Sequence, residues 1–174
     1  MDPDDEDHPS ITFRPPTPDD ARVVWQMARD SGALDLNSPY AYLLVCDHFA
    51  ATSLVAEEPD GRLVGFVAAY RPPTEPDVVF VWQIAVDPAR RGHGIAQRML
   101  HALVDRLLPL GVLGLTATVT PGNEPSRRLF QSLARDRRTR FEERPLYDEE
   151  LFPGEGHEAE HRVLIAPLAP TAPT

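Results

Sequence analysis

The sequence predicts an α/β sandwich, and three observations carry that prediction. Strand-like and helix-like periodicities alternate along the chain, Val78 to Val86 is an almost unbroken run of β-branched and aromatic residues, and Asp60-Gly61 upstream of it marks a tight hairpin. Strands interleaved with helices bury their apolar faces across a common sheet, and an apolar run covered on both faces belongs at its centre.

Each element follows from local chemistry. Ile11 to Arg14 reads as a short opening strand. Thr17 and Pro18 start a helix as N-cap and first helical residue, Ala21, Val24, Trp25 and Ala28 recur at helical spacing, and Gly32 ends it. Ser38-Pro39 repeats the start signal for a second helix running towards Phe49. Ser53 to Glu58 and Leu63 to Arg71 are strand-like and flank Pro59-Asp60-Gly61, so an antiparallel pair is expected. Past the central strand, Ala96, Met99, Leu100, Leu103 and Leu107 share one face of a helix over Gly94 to Leu108, stopped by Pro109 and Gly111. Leu113 to Val119 reads as a strand, Asn123 to Leu133 as a helix, and Phe141 to Tyr147 and Arg162 to Ile165 as two last strands. The body, 11–167, is expected to be one domain, framed by an acidic tail, 1–10, and an Ala/Pro/Thr tail, 168–174, both lacking the periodicity of a packed element.

A chain of 174 residues can bury a core without a disulfide or a structural metal, and its single Cys46 has no cysteine partner for either. No apolar run reaches the length of a bilayer span, and the acidic start, Met1 to His8, lacks the pattern of a secretory signal. No membrane partner is therefore expected, and a cytoplasmic location is. The formal charge of −10 disfavours a nucleic-acid partner, because phosphate binding depends on clustered Lys and Arg. Small cations would be attracted, although part of that charge lies in Asp2 to Asp7, and adaptation to a salty cytoplasm would produce the same balance.

The central strand leads through Val86-Asp87-Pro88-Ala89-Arg90-Arg91-Gly92-His93-Gly94-Ile95-Ala96 straight into a helix. Glycines at such a turn let successive N–H groups face one concavity, and the helix dipole adds positive potential there, so a pyrophosphate is the natural guest. A dinucleotide fingerprint would need glycine at Gln97, and a P-loop would need a Gly-Lys-Ser or Gly-Lys-Thr that is absent. Arg91, Gly92, His93, Gly94, Ile95 and Ala96 instead fit the pattern of Arg or Gln, two residues, Gly, one residue, then Gly or Ala. In this the chain resembles the GNAT superfamily of N-acetyltransferases, and the likeness extends from Thr12 to Ile165.

That resemblance implies a mixed, mostly antiparallel sheet flanked by helices, with splayed strands that take acetyl-CoA as cosubstrate and no metal. It implies cofactor contacts from Arg91 to Ala96, from the backbones of Ile84 and Val86, and from Asn123 and Ser126, which match the family's later motif. Asn123 also suits plain helix capping. Many members place Tyr, as general acid for the departing thiolate, where Phe130 stands here. Phenyl cannot donate a proton, but a thiol of reference pKa about 8.5 already leaves tolerably near neutral pH.

Four further segments carry information about the acceptor. Thr12-Phe13-Arg14-Pro15-Pro16, Leu36-Asn37-Ser38-Pro39-Tyr40-Ala41-Tyr42-Leu43-Leu44, Val81-Trp82-Gln83 and Gly156-His157-Glu158-Ala159-Glu160-His161 resemble one subfamily, the L-2,4-diaminobutyrate acetyltransferases. The resemblance implies a homodimer that acetylates the γ-amine of a small diamino acid, giving the N4-acetyl precursor of the osmolyte ectoine. Such a substrate needs carboxylates for its ammonium groups and neutral donors for its own carboxylate, and Asp35, Ser38, Tyr40 and Trp82 are the candidate substrate-binding residues. The attacking amine must lose a proton, for which Glu160 or His157 is the candidate base. Of Glu158 and Glu160, which alternate on an extended segment, Glu160 is expected to point inward.

Plainer roles stand beside these. Ser38 suits an N-cap, Asp35 a loop carboxylate and Trp82 a core position. An acceptor other than diaminobutyrate, or an acyl-CoA-sensing domain without chemistry, keeps the same fold. His157 to His161 also spells HExxH, a zinc hydrolase motif on a helix, but Pro153, Gly154 and Gly156 before it and a strand after it argue against that helix.

Overall fold

The computed structural model describes residues 10–154 and 156–169. Most of both expected tails, 1–9 and 170–174, lies outside the described residues. The strands are β1 (Thr12–Arg14), β2 (Leu54–Glu57), β3 (Leu63–Tyr70), β4 (Val78–Val86), β5 (Gly114–Val119), β6 (Arg140–Tyr147) and β7 (Glu160–Ala166). The helices are α1 (Ala21–Ser31), α2 (Pro39–Asp47), α3 (Ile95–Leu107) and α4 (Glu124–Asp136). The strands form a seven-stranded mixed sheet in the order β1-β2-β3-β4-β5-β7-β6. The chain divides into two compact units, one reaching Ala68 and resuming over Gln83–Ala102, the other comprising Ala69–Trp82 and the residues from Leu103 onward.

In the first unit β1 pairs antiparallel with β2, and β2 with β3 across the expected turn, where Gly61 takes φ 85°, a conformation costly for any residue with a Cβ. Thr17 and Pro18 do start helical structure, but as a 3-10 turn, Pro18–Asp20, before α1 begins at Ala21. Gly32, with φ 63°, ends α1 in the left-handed conformation. Ala21, Val24, Met27 and Ala28 of α1 pack with Tyr42, Val45 and Cys46 of α2 and with Val55, Leu63, Phe66 and Ala85 from the strands. Burial pushes the Cys46 thiol up to about 12, so it is an inert core residue.

Asp20 locks the start of this unit. Its carboxylate takes two hydrogen bonds from the Arg14 guanidinium, at 2.8 and 3.0 Å, and one from the Thr17 N–H at 2.7 Å, while Arg14 also pairs with Glu57. One arginine thereby joins β1, the helix start and β2.

In the second unit β4 and β5 run parallel, from Val78 opposite Gly114 to Val81 opposite Ala117, and β5, β7 and β6 are antiparallel. Leu103, Val104 and Leu107 on the inner face of α3 are fully buried, as are Leu115, Leu133, Val163 and Ile165. Arg137 sits at the end of α4 with a buried side chain and donates to Asp105 at 2.6 Å.

Four expectations change. β4 is not covered evenly on both faces: Val79, Val81, Gln83 and Ala85 are buried, Phe80, Ile84 and Val86 are half-buried, and Trp82 is 38% exposed. α4 continues past Leu133 to Asp136. β7 begins at Glu160, so that residue lies on the strand rather than in the loop before it. Leu168, assigned to the C-terminal tail, is buried and donates its N–H to Leu113 O at 2.7 Å, so ordered packing reaches beyond the last strand.

Burial alone would raise the Asp20 carboxyl, but its hydrogen bonds from Arg14 and Thr17 prevail and hold it below the ordinary aspartate range. A depressed folded pKa contributes stability that is complete above the unfolded value, about 3.9, and is lost as pH falls through the folded one. Asp20→Asn should therefore lower the thermal midpoint at pH 7, by an amount equivalent to about 2 kcal/mol, and the difference from wild type should shrink as pH falls from about 4 to 2. Melting curves across that range check it, and a constant gap would sink the assignment.

Candidate functional site

The cradle lies wholly in the first unit. β4 ends at Val86, Asp87 caps a 3-10 turn over Pro88–Arg90 by accepting from Ala89 N–H at 2.9 Å, and Arg91 to Gly94 lead into α3. Gly92 and Gly94 have φ 84° and 68°, and no atom within 4 Å would touch a Cβ there, so their need is backbone freedom rather than space. Two left-handed residues so close together direct successive N–H groups to one side, and the first N–H groups of α3 have no intrahelical acceptor. Arg91, Gly92, His93 and Gly94 are exposed, whereas Ile95 is 2% exposed and anchors the helix beneath them. Ala96, one residue further along, is half-buried. His93 Nδ1 lies 3.0 Å from Arg91 O and 3.3 Å from Arg90 O. Both neighbours are carbonyls, so Nδ1 carries the proton and the ring holds the turn together.

Two ion pairs hold this turn against the β2–β3 hairpin. Arg90 Nε donates to Glu58 Oε1 at 2.6 Å, with Glu58 buried, and Arg62 pairs with Asp87. The Ala89 N–H foremost, with Arg62 and Arg90 nearby, keeps the Asp87 carboxyl below its ordinary range against the effect of burial. The arrangement is an exposed glycine turn of N–H groups at the start of α3, with the chemistry to hold a diphosphate, while the Arg91 guanidinium donates to Ser31 O at 3.5 Å.

The loop between α1 and α2 lies in the same unit. Asp35 and Tyr40 are exposed, Tyr40 at 66%. Ser38 is the N-cap of α2, its Oγ accepting from Ala41 N–H at 3.2 Å. Behind the loop stand two buried side chains. Tyr42 donates its hydroxyl to Gln83 Oε1 at 3.0 Å, and Gln83 Nε2 donates to Asp35 O at 2.8 Å. Neither Tyr42 nor Gln83 is among the candidate residues drawn from the sequence. The available signal was a lone amide in the otherwise apolar run of β4.

The remaining candidates lie in the second unit. Asn123 caps α4, its Oδ1 accepting from Ser126 N–H at 3.1 Å, and Phe130 on that helix is 3% exposed. His157 stacks on Phe152 with centroids 3.6 Å apart, and its Nδ1 meets Glu158 O at 2.6 Å. Glu158 is exposed and accepts from Gly122 N–H at 3.4 Å, whereas Glu160 is half-buried with Oε2 fully covered. His161 donates its Nδ1–H to Glu143 Oε1 at 3.0 Å, and Arg127 grips the same carboxylate at 2.8 and 2.9 Å. Residues 156–159 are not helical and β7 follows, so His157 and His161 lack the helical spacing that HExxH requires. Among the described residues no group of three or more His, Cys, Asp or Glu is placed to hold a metal ion.

Trp82 is too exposed for a core residue, and it stands on β4 one position before Gln83. With alternation along the strand, Trp82, Ile84 and Val86 share the open face and Gln83 the buried one. Thus Asp35, Ser38, Tyr40, Ile84, Val86 and Arg91 to Ala96 belong to one compact unit, and Trp82, Asn123, Ser126, His157 and Glu160 to the other.

Comparison with known proteins agrees with the cradle. The model of the acetyltransferase (GNAT) family matches residues 21–134. L-2,4-diaminobutyric acid acetyltransferase of Halalkalibacterium halodurans is 47% identical over 161 residues, covering 92% of this chain and 84% of that one. The enzyme of the same name from Marinococcus halophilus is 46% identical over 159 residues, 91% of each chain. Among solved structures, diaminobutyrate acetyltransferase from Paenibacillus lautus, in complex with L-2,4-diaminobutyric acid and coenzyme A, superimposes with a TM-score of 0.86 at 40% identity, covering 92% of this chain and 96% of that one. No helix among the described residues is long and apolar enough to cross a membrane. With a family model matching most of its length and relatives this similar over this much of it, the chain belongs to the GNAT acetyltransferase family and, within it, to the L-2,4-diaminobutyric acid acetyltransferases.

Proposed function

We propose that this enzyme transfers acetyl from acetyl-CoA to the γ-amine of L-2,4-diaminobutyrate, releasing N4-acetyl-2,4-diaminobutyrate and CoA. The observation that carries the reading is the 40% identical structure that holds that amino acid and coenzyme A on the same fold. The chain then acts in ectoine biosynthesis and osmoadaptation, in the cytoplasm and as a homodimer. Static light scattering checks the last point, the expected mass being twice the 19.4 kDa of one chain.

In this reading the N–H groups from Arg91 to Ala96 and the Arg91 guanidinium hold the pyrophosphate, and the backbones of Ile84 and Val86 pair with the pantetheine arm, where an N–H steadies the thioester carbonyl as it gains charge. Asn123 and Ser126 serve the cofactor from the start of α4. Asp35 meets a substrate ammonium, Ser38 and Tyr40 donate towards its carboxylate, and Trp82 supplies an apolar wall with one N–H. Support for these roles comes from the exposure of Asp35, Tyr40 and Trp82, none of which is used up in the core. Ser38 has its Oγ engaged in the cap, which leaves its O–H proton for a second partner.

The γ-ammonium, with a reference pKa near 10, gives its proton to Glu160, directly or through water, or to His157. The free amine attacks the thioester carbon and the C–N bond forms; the nitrogen of the tetrahedral intermediate gives up its second proton to solvent, and collapse of that intermediate breaks the C–S bond. The leaving thiolate takes up a proton from water, consistent with Phe130 at the position where many relatives carry Tyr.

Two measurements test this. With acetyl-CoA, L-2,4-diaminobutyrate should release free thiol, and 2-aminobutyrate, which lacks the γ-amine, should not; equal turnover with lysine or polyamines would remove the substrate assignment and leave the fold. Glu160→Ala should lower kcat by about 100-fold or more, the usual scale for a general base, whereas Phe130→Leu should change it less than about 5-fold. The reverse order would mean that the base has been misplaced.

A further inference from the structure

Gln83 is the one side chain with a hydrogen-bonding amide in β4, and it is 5% exposed. A buried amide stabilises a core no better than an aliphatic residue and costs about 1–3 kcal/mol for each group left unpaired. Its partners account for its presence. Tyr42, fully buried on α2, donates its hydroxyl to Oε1 at 3.0 Å, and Nε2 donates to Asp35 O at 2.8 Å. The Asn37 N–H reaches the same Tyr42 hydroxyl at 3.4 Å, and Asn37 Nδ2 donates to Asp35 O at 3.1 Å. The orientation of the amide is fixed by chemistry, because a backbone carbonyl can only accept.

The segment 32–38 has no regular secondary structure. Its geometry around Asp35 is held instead by these two buried side chains. Asp35, an exposed residue, thus sits on a backbone that is pinned from behind. Along β4 the neighbours of Gln83, Trp82 and Ile84, face the other way. One residue therefore ties the acceptor loop to the strand whose next backbone position serves acetyl-CoA.

We propose that Gln83 and Tyr42 are positioning residues that set the acceptor loop, and through it the affinity for the diamino acid, without touching either substrate. This rests on the assignment of Asp35 to the substrate given above. In Gln83→Glu the ionised side chain would place an oxygen against Asp35 O and release the loop. The protonated side chain can donate to Asp35 O while accepting from Tyr42, as the amide does. A carboxyl so placed titrates well above its reference value of about 4.3, because burial and a facing carbonyl both disfavour the charge.

The test is steady-state kinetics of the full chain from pH 6 to 9, with wild type measured at every pH so that protonation of the substrate amine cancels in the ratio. For Gln83→Glu the KM for L-2,4-diaminobutyrate should exceed wild type by about 10-fold at pH 9, the equivalent of 1.4 kcal/mol, and approach it towards pH 6, with KM for acetyl-CoA within about 2-fold throughout. Gln83→Leu should raise the same KM at all pH values, and Tyr42→Phe should do so to a smaller extent. Equal movement of both KM values, a change in melting temperature alone, or a ratio for Gln83→Glu that is flat with pH overturns the proposal. Should Gln83→Glu fail to fold, the KM split in Gln83→Leu and Tyr42→Phe decides it. Wild type that does not turn over diaminobutyrate defeats the function proposed above, whereas wild-type turnover with an unmoved KM in these variants defeats this inference alone.

Discussion

β4 carries two requirements that pull against each other, since a strand in the middle of a sheet must bury apolar surface while a strand that serves a ligand must keep some of its surface open. Alternation resolves the conflict. Val79, Val81 and Ala85 take the buried face, and Trp82, Ile84 and Val86 are left on the other. Because the period is two, a slip of one residue would turn Trp82 inward and Gln83 outward, so the fold and the candidate site depend on one register. The hydrogen bonds of Gln83 to Tyr42 and Asp35 oppose that slip, since a shifted amide would lose both partners.

Charge in this protein works locally rather than through the net value of −10. Exposed ion pairs contribute little to stability, but the pairs that matter here join separate elements, and all except the exposed Arg62–Asp87 pair are partly buried. Glu58 to Arg90 and Asp87 to Arg62 hold the turn before α3 against the β2–β3 hairpin. Arg14 joins β1, β2 and the start of α1 through Asp20 and Glu57. In the second unit Arg127 and His161 converge on Glu143 and fasten α4 to the last two strands. The Arg127 hydrogen bond before all else, with His161 adding to it, holds that carboxyl below the ordinary glutamate range in spite of burial.

Several features are legible in the amino-acid sequence because they are written in backbone chemistry. Gly32, Gly61, Gly92 and Gly94 all take positive φ, and the sequence marks each as a turn or helix end. Ser38 and Asn123 both cap the helices that follow them, so the modest reading of each residue holds whatever else it does. The openness of one β4 face, the start of β7 at Glu160 and the packing of Leu168 are not legible there, since each depends on which neighbours cover a residue. The HExxH spelling misleads for the same reason: five letters specify a zinc site only on a helix, and here they sit on extended chain.

By itself, then, the sequence determined the glycine turn, the helix starts and the succession of strands and helices, because propensity and capping act over a few neighbouring residues. It also carried the resemblance to the family, through the residues from Arg91 to Ala96. Only the tertiary structure decided which polar side chains lie behind the acceptor loop. Tyr42 and Gln83 are 41 positions apart, and Gln83 and Asp35 are 48. No local pattern joins residues so distant; their meeting is set by the packing of α2 against the sheet, and a hydrogen bond between them exists only once that packing has formed.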